Sequence, residues 1–169
     1  FKTDSTRVAT YQIDRENGVG KSDHLARAVG YNLFHQLSHD TKEPVGWERF
    51  GMYCRFLNEE YGRFATKLKE TPEPAGSGTM LDNTLLLFGS ASSAFHLSRN
   101  YPIISAGGEN LGFTNGRYLK FGKGNDDNQA GAGIVSDVGW RGKIENEELP
   151  LAQLFVTILQ RLGVETESF

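Results

Sequence analysis

The sequence predicts an α/β fold, a parallel or mixed sheet flanked by helices, and three observations carry that prediction. Two short apolar runs, Thr84 to Phe88 and Pro102 to Ala106, lie close together in the chain. Each is bounded by turn residues. Leu81-Asp82-Asn83 precedes the first, Gly89-Ser90-Ala91-Ser92-Ser93 follows it, and Gly107-Gly108 closes the second. Continuous apolar runs of this length suit strands buried on both faces. The third observation is helical periodicity in two long stretches, Val45 to Thr71 and Leu149 to Leu162. At 169 residues, the chain reads as one α/β domain over residues 1–169, long enough to bury a core.

Taken in order, Thr6 to Ile13 alternates and is rich in β-branched and aromatic residues, which predicts a strand. Asp14 to Gly20 follows as a loop. Ser22-Asp23 caps a predicted short helix through Val29, which Gly30 ends. Tyr31 to Pro44 has no clean period. In Val45 to Thr71, Phe50, Cys54, Leu57, Tyr61, Phe64 and Leu68 recur at steps of four and three, while the charged residues fall largely elsewhere. Pro44 lies just ahead of this helix and Pro72 stops it. Core packing explains the aromatic residues along its face better than a ligand platform does.

Thr71 to Gly78 reads as a surface connection into the central strand. Arg117 to Phe121 predicts a short edge strand, and glycine-rich Gly122 to Gly142 a long loop or lid. The last helix has Pro150 in its first turn. Leu151, Leu154, Phe155, Ile158, Leu159 and Leu162 face inward, and Gly163 is its stop signal.

Bulk properties exclude several classes of function. The net charge is −3 and the 18 basic residues are scattered, with no basic stripe for a nucleic acid to follow. No apolar run approaches the roughly 20 residues needed to span a bilayer. The single cysteine, Cys54, cannot form an internal disulfide and reads as a small core residue. The chain opens on Phe1 without a signal peptide, and few strands are present to close a buried sheet. The first suggests a processed product or a fragment, and the second favours a fragment of a larger protein.

Four motifs carry chemistry. Gly18-Val19-Gly20-Lys21-Ser22 looks like the end of a phosphate-binding loop, but Arg15 stands where the first glycine is required, so nucleotide binding is a remote alternative. His35, His39 and Asp40 supply the neutral imidazole and carboxylate donors that divalent metals use, and helical spacing would put both histidines on one side. Asp126-Asp127-Asn128 resembles the start of a calcium loop. Ala130 and Asp137 break that pattern, leaving a solvated loop. Ser90, Ser92 and Ser93 lack the flanking glycines of a nucleophile elbow, which argues against a serine hydrolase. In open α/β sheets ligands gather where strands end, so the expected ligand site is the loop after the central strand: Ser90, Ser92, Ser93, His96 and Arg99.

Seven stretches together resemble a secreted bacterial family, domain-of-unknown-function family 1552: TRVATY from Thr6, LFHQLSHD, FATKLKETPEP, MLDNTLLLFGSASSAFH, NYPIISAGG, GRYLKF and LFVTILQRLGV. The resemblance implies a secreted or periplasmic protein whose fold is similar to the C-terminal portion of the alkaline phosphatase and sulfatase superfamily. Its partner would be the N-terminal portion of the same protein. In that superfamily the nucleophile and one metal carboxylate come from early in the chain, and related sequences often carry Ser-Asp-Gly and then a histidine after a central strand. Here the chain reads Ser92-Ser93-Ala94-Phe95-His96. The implied metal ligands are His35, His39, Asp40 and His96, with Ser90, Ser92, Ser93 and Arg99 around a ligand. With the aspartate gone, this portion is expected to be inactive. The alternative is a hydrolase of phosphate or sulfate esters, dependent on a divalent metal, when full length.

Overall fold

The structure, a computed structural model, describes residues 6–13, 27, 37, 44–90, 102–121 and 150–168. It comprises helix α1 (Pro44–Lys69), strands β1 (Leu85–Gly89) and β2 (Ile103–Gly107), a 3-10 turn (Glu109–Leu111) and helix α2 (Leu151–Arg161). The chain divides into two compact units, Phe1–Thr66 and Lys67–Phe169. Among the described residues no helix is long and apolar enough to cross a membrane.

Helix α1 forms where its apolar period demands, and it starts on Pro44, whose fixed φ and missing N–H suit a first helical position. In the first unit Tyr53 is fully buried, and Leu37, itself helical, is 6% exposed. Phe50, Cys54, Leu57 and Tyr61 are half-buried, as the periodicity predicts. The buried stripe also departs from the predicted one. The stripe includes Tyr53, and it continues through half-buried Ala65 while Phe64 is 42% exposed. A straight helix of 3.6 residues per turn drifts away from a strict alternation of fours and threes, and steps of four from Tyr53 arrive at Ala65. On the outer face Arg55 donates to Glu59 at 2.7 Å, and Arg63 pairs with Glu60. Pairs this exposed contribute little.

In the second unit Leu68 and Met80 are buried. The connection between them folds back on itself: Met80 N–H donates to the Thr71 carbonyl (2.8 Å), Glu73 N–H to the Gly78 carbonyl (3.1 Å), and Pro72 bridges Thr79. Residues 74–78 are exposed, as a surface connection requires.

Both apolar runs form strands, each shifted by one residue from its predicted start, but they pair antiparallel and not in a parallel sheet. Leu85 faces Gly107 and Gly89 faces Ile103. Parallel sheets need cover on both faces. Here Leu87 is 43% and Ile104 42% exposed, so neither strand is buried as the apolar runs suggested. The described fold is thus helices with a small two-stranded antiparallel sheet, α/β only in that loose sense.

Two other predicted strands are absent. Residues 6–13 have no strand, with Val8 78% and Tyr11 88% exposed, and Thr6 Oγ1 donates to the Val8 carbonyl at 2.8 Å. That local bond competes with a ladder. Residues 117–121 likewise run as exposed coil. Strand propensity acts mainly through packing on a half-buried surface, which neither segment has.

Helix α2 starts after Pro150, at φ −66° and ψ 148°, and ends as predicted at Gly163. Gly163 N–H donates to the Gln160 carbonyl and Val164 N–H to the Leu159 carbonyl, the paired bonds of a Schellman cap. Its apolar stripe is only partly covered: Leu151, Ile158 and Leu159 are half-buried, while Leu154, Phe155 and Leu162 are exposed, and no side chain is fully buried. The predicted loop over 14–20, the helix over 22–29 except helical Arg27, and the glycine-rich loop over 122–142 lie outside the described residues.

The burial pattern of α1 sets an expected order of stability losses. Tyr53→Ala should cost about 3–5 kcal/mol and Leu68→Ala about 2–5 kcal/mol, because both leave cavities. Phe64→Ala should cost well under half of either. Urea midpoints measure the series, and equal losses at Phe64 and Tyr53 would contradict the burial pattern.

Candidate functional site

The centre of the second unit is built on one turn. Asp82 ends a tight loop in which its Oδ2 accepts from the Thr79 N–H (2.6 Å) and the Thr79 hydroxyl (2.9 Å). Gly78, at φ 84°, makes room for that carboxylate, since a Cβ there would stand 2.5 Å from Asp82 Oδ2. The Thr79 backbone bond and then its hydroxyl hold the Asp82 carboxyl below its ordinary value against an opposing effect of burial, and the Lys69 charge adds the least to the lowering.

The same turn holds the far end of β2. The Leu81 carbonyl accepts from Thr84 N–H (3.2 Å) and Gly108 N–H (2.9 Å), and the Asp82 carbonyl accepts from Asn110 N–H (2.9 Å). Asn110 Nδ2 then donates to Asn83 Oδ1 at 3.1 Å. Gly107 and Gly108 adopt φ of 80° and 70°, and a Cβ at Gly107 would lie 2.6 Å from the Leu81 carbonyl. Only glycine permits both the left-handed backbone and that approach. Beyond the corner, Phe113 N–H returns to the Gly108 carbonyl and Asn115 Nδ2 to the Gly107 carbonyl, each at 3.1 Å.

Of the residues predicted to form a site, Ser90 is described. It lies directly after β1 and is exposed, at the expected strand end. Ser92, Ser93, His96, Arg99, His35, His39 and Asp40 lie outside the described residues, as do the Gly18 to Ser22 loop and Asp126-Asp127-Asn128. Among the described residues, no group of three or more His, Cys, Asp or Glu side chains could hold a metal ion.

Cys54 is half-buried rather than in the core, and burial pushes its thiol up, away from the thiolate that would make it reactive. Burial raises the Tyr61 phenol in the same way. Sequence reasoning treated 81–83 only as a turn boundary. The missed signal was Thr79 three residues before Asp82, a spacing at which an aspartate side chain reaches back to close a turn.

Comparison with protein-family models, with curated proteins and with solved structures found no match.

A carboxyl with a lowered folded-state value stabilises the fold fully above its unfolded value, about 4, and loses that contribution as pH falls through the folded value. Asp82→Asn should therefore be less stable than the parent near neutrality, with the gap closing on acidification. Urea midpoints of both proteins across the acid range test this; a gap that stays constant with pH would show that the Asp82 charge has no such role.

Proposed function

We propose that the chain belongs to an exported protein of alkaline-phosphatase- and sulfatase-like fold, related to domain-of-unknown-function family 1552, and that this portion does not catalyse ester hydrolysis. Its role would be that of a binding or structural module completed by an N-terminal portion of the same protein. One observation carries the reading: after the central strand the chain has Ser92-Ser93-Ala94, where related sequences often carry Ser-Asp-Gly, so the carboxylate that would hold a divalent metal is replaced by a hydroxyl.

The geometry around β1 supports it. Asp82 precedes the strand, at the end away from Ser90, and its Oδ2 serves Thr79. After the strand the sequence supplies hydroxyls at Ser90, Ser92 and Ser93, an imidazole at His96 and a cation at Arg99, a set that would suit an anionic group. In an active version His35, His39, Asp40 and His96 would supply the metal donors, and the metal would polarise a phosphate or sulfate ester. The fold and the compartment in this reading rest on the resemblance.

Elemental analysis of the purified protein, with p-nitrophenyl phosphate and p-nitrophenyl sulfate as substrates, tests the reading. Bound metal well below one equivalent and no hydrolysis above buffer are expected. Near-stoichiometric metal that is lost in both His35→Ala and His96→Ala, together with hydrolysis of either ester, would overturn it in favour of a metal-dependent hydrolase.

A further inference from the structure

The described residues include four asparagines: Asn58, Asn83, Asn110 and Asn115. An asparagine modifies itself when the next residue's backbone nitrogen attacks its side-chain carbonyl, and a side chain on that next residue hinders the approach. Asn58 is followed by Glu59 inside α1, where its Nδ2 donates to the Cys54 carbonyl at 2.7 Å. Asn83 and Asn110, followed by Thr84 and Leu111, bond to each other. Asn115 is different, because it is followed by Gly116, on backbone with no regular structure. Gly116 has φ 74°, nothing lies within 4 Å of where its Cβ would be, and its N–H has no hydrogen-bond partner among the described residues.

We propose that Asn115 is a site of spontaneous modification whose product releases the corner at Gly107. The Gly116 backbone nitrogen gives up its proton and bonds to Asn115 Cγ. The bond from Cγ to Nδ2 breaks, and Nδ2 leaves with that proton as ammonia. Water then opens the resulting cyclic imide at either carbonyl, leaving aspartate or isoaspartate. The bond from Asn115 Nδ2 to the Gly107 carbonyl, 3.1 Å long, holds the side chain in place until the loop opens. The reaction removes that donor permanently. An ionised carboxylate only accepts hydrogen bonds, so in the product it faces the Gly107 carbonyl as one acceptor against another. The altered side chain therefore loosens the segment where β2 meets the 3-10 turn.

Peptide mapping of the folded protein aged in mildly alkaline buffer tests the site. The expected result is a gain of one mass unit and an isoaspartate signal at Asn115, ahead of Asn58, Asn83 and Asn110; Asn17-Gly18, outside the described residues, is read in its own peptide. Gly116→Ala should slow the change about tenfold, because its methyl group blocks the attack. Conversion of Asn115 no faster than the other three, or a Gly116→Ala protein converting at the parent rate, would overturn the site. For the consequence, hydrogen exchange at the Gly108 and Phe113 amides should speed up in Asn115→Asp and stay near parent in Asn115→Gln. Unchanged exchange in Asn115→Asp would overturn the release.

Discussion

The second unit depends on the Leu81 carbonyl. It accepts from Thr84 N–H, which sets the entry of β1, and from Gly108 N–H, which fixes the exit of β2. One oxygen therefore ties together two points 24 residues apart in sequence. A two-stranded hairpin alone is marginal in water, so a clasp at its open end matters more than it would in a large sheet. The clasp imposes its own constraint, because two carbonyls crowd the Cα of Gly107 and any side chain there would meet them. Asp82 supports the clasp from beneath by closing the turn that carries Leu81, and Asn110, held to the Asp82 carbonyl and to Asn83, extends it into the 3-10 turn.

The ends of the helices follow the same economy of local bonds. The last turn of α1 carries Lys67 and Lys69, favourable charges at a helix C-terminus, and Lys69 also lowers the Asp82 carboxyl. Helix α2 closes through a Schellman pair at Gly163, and its last residue, Arg161, extends over Gly112, where an added Cβ would stand 2.5 Å from the guanidinium. Gly112, at φ 84°, ends the 3-10 turn. One glycine thus serves as the stop of one element and as the space into which the side chain of another fits.

These elements were unequally legible in the sequence. Period and punctuation identified α1 and α2 to within about two residues at each end, because a stripe bounded by Pro44 and Pro72, or by Pro150 and Gly163, depends only on neighbours in sequence. The strands were found, but their direction was not. An apolar run such as LLLF fits either a parallel or an antiparallel partner, and the choice depends on what covers the sheet. Val8, Tyr11 and Tyr118 are good strand formers by residue type, yet they lie exposed on backbone with no strand. Of the candidate site, the placement of Ser90 after β1 was legible. The role of Asp82 was not, since a carboxylate committed to a turn and one free to bind a ligand are the same letter. The distinction lies in the two bonds from Thr79.

That distinction bears on function. The strand entry is rich in groups already engaged: Asp82 with Thr79, Asn83 with Asn110, and the Leu81 carbonyl with two amides. A carboxylate used in this way is a poor metal ligand, because binding an ion would require it to give up bonds that shape the hairpin. Past the strand, exposed Ser90 opens a stretch of sequence with several hydroxyls and no carboxylate as far as Arg99. The clasp lies before β1 and Ser90 directly after it. The bonds of the clasp run among residues 79–84 and 107–110, so none of them uses Ser90. On the proposed reading, a module could keep its fold after losing a metal centre, because the residues that hold these strands are not the ones that reading assigns to the ion.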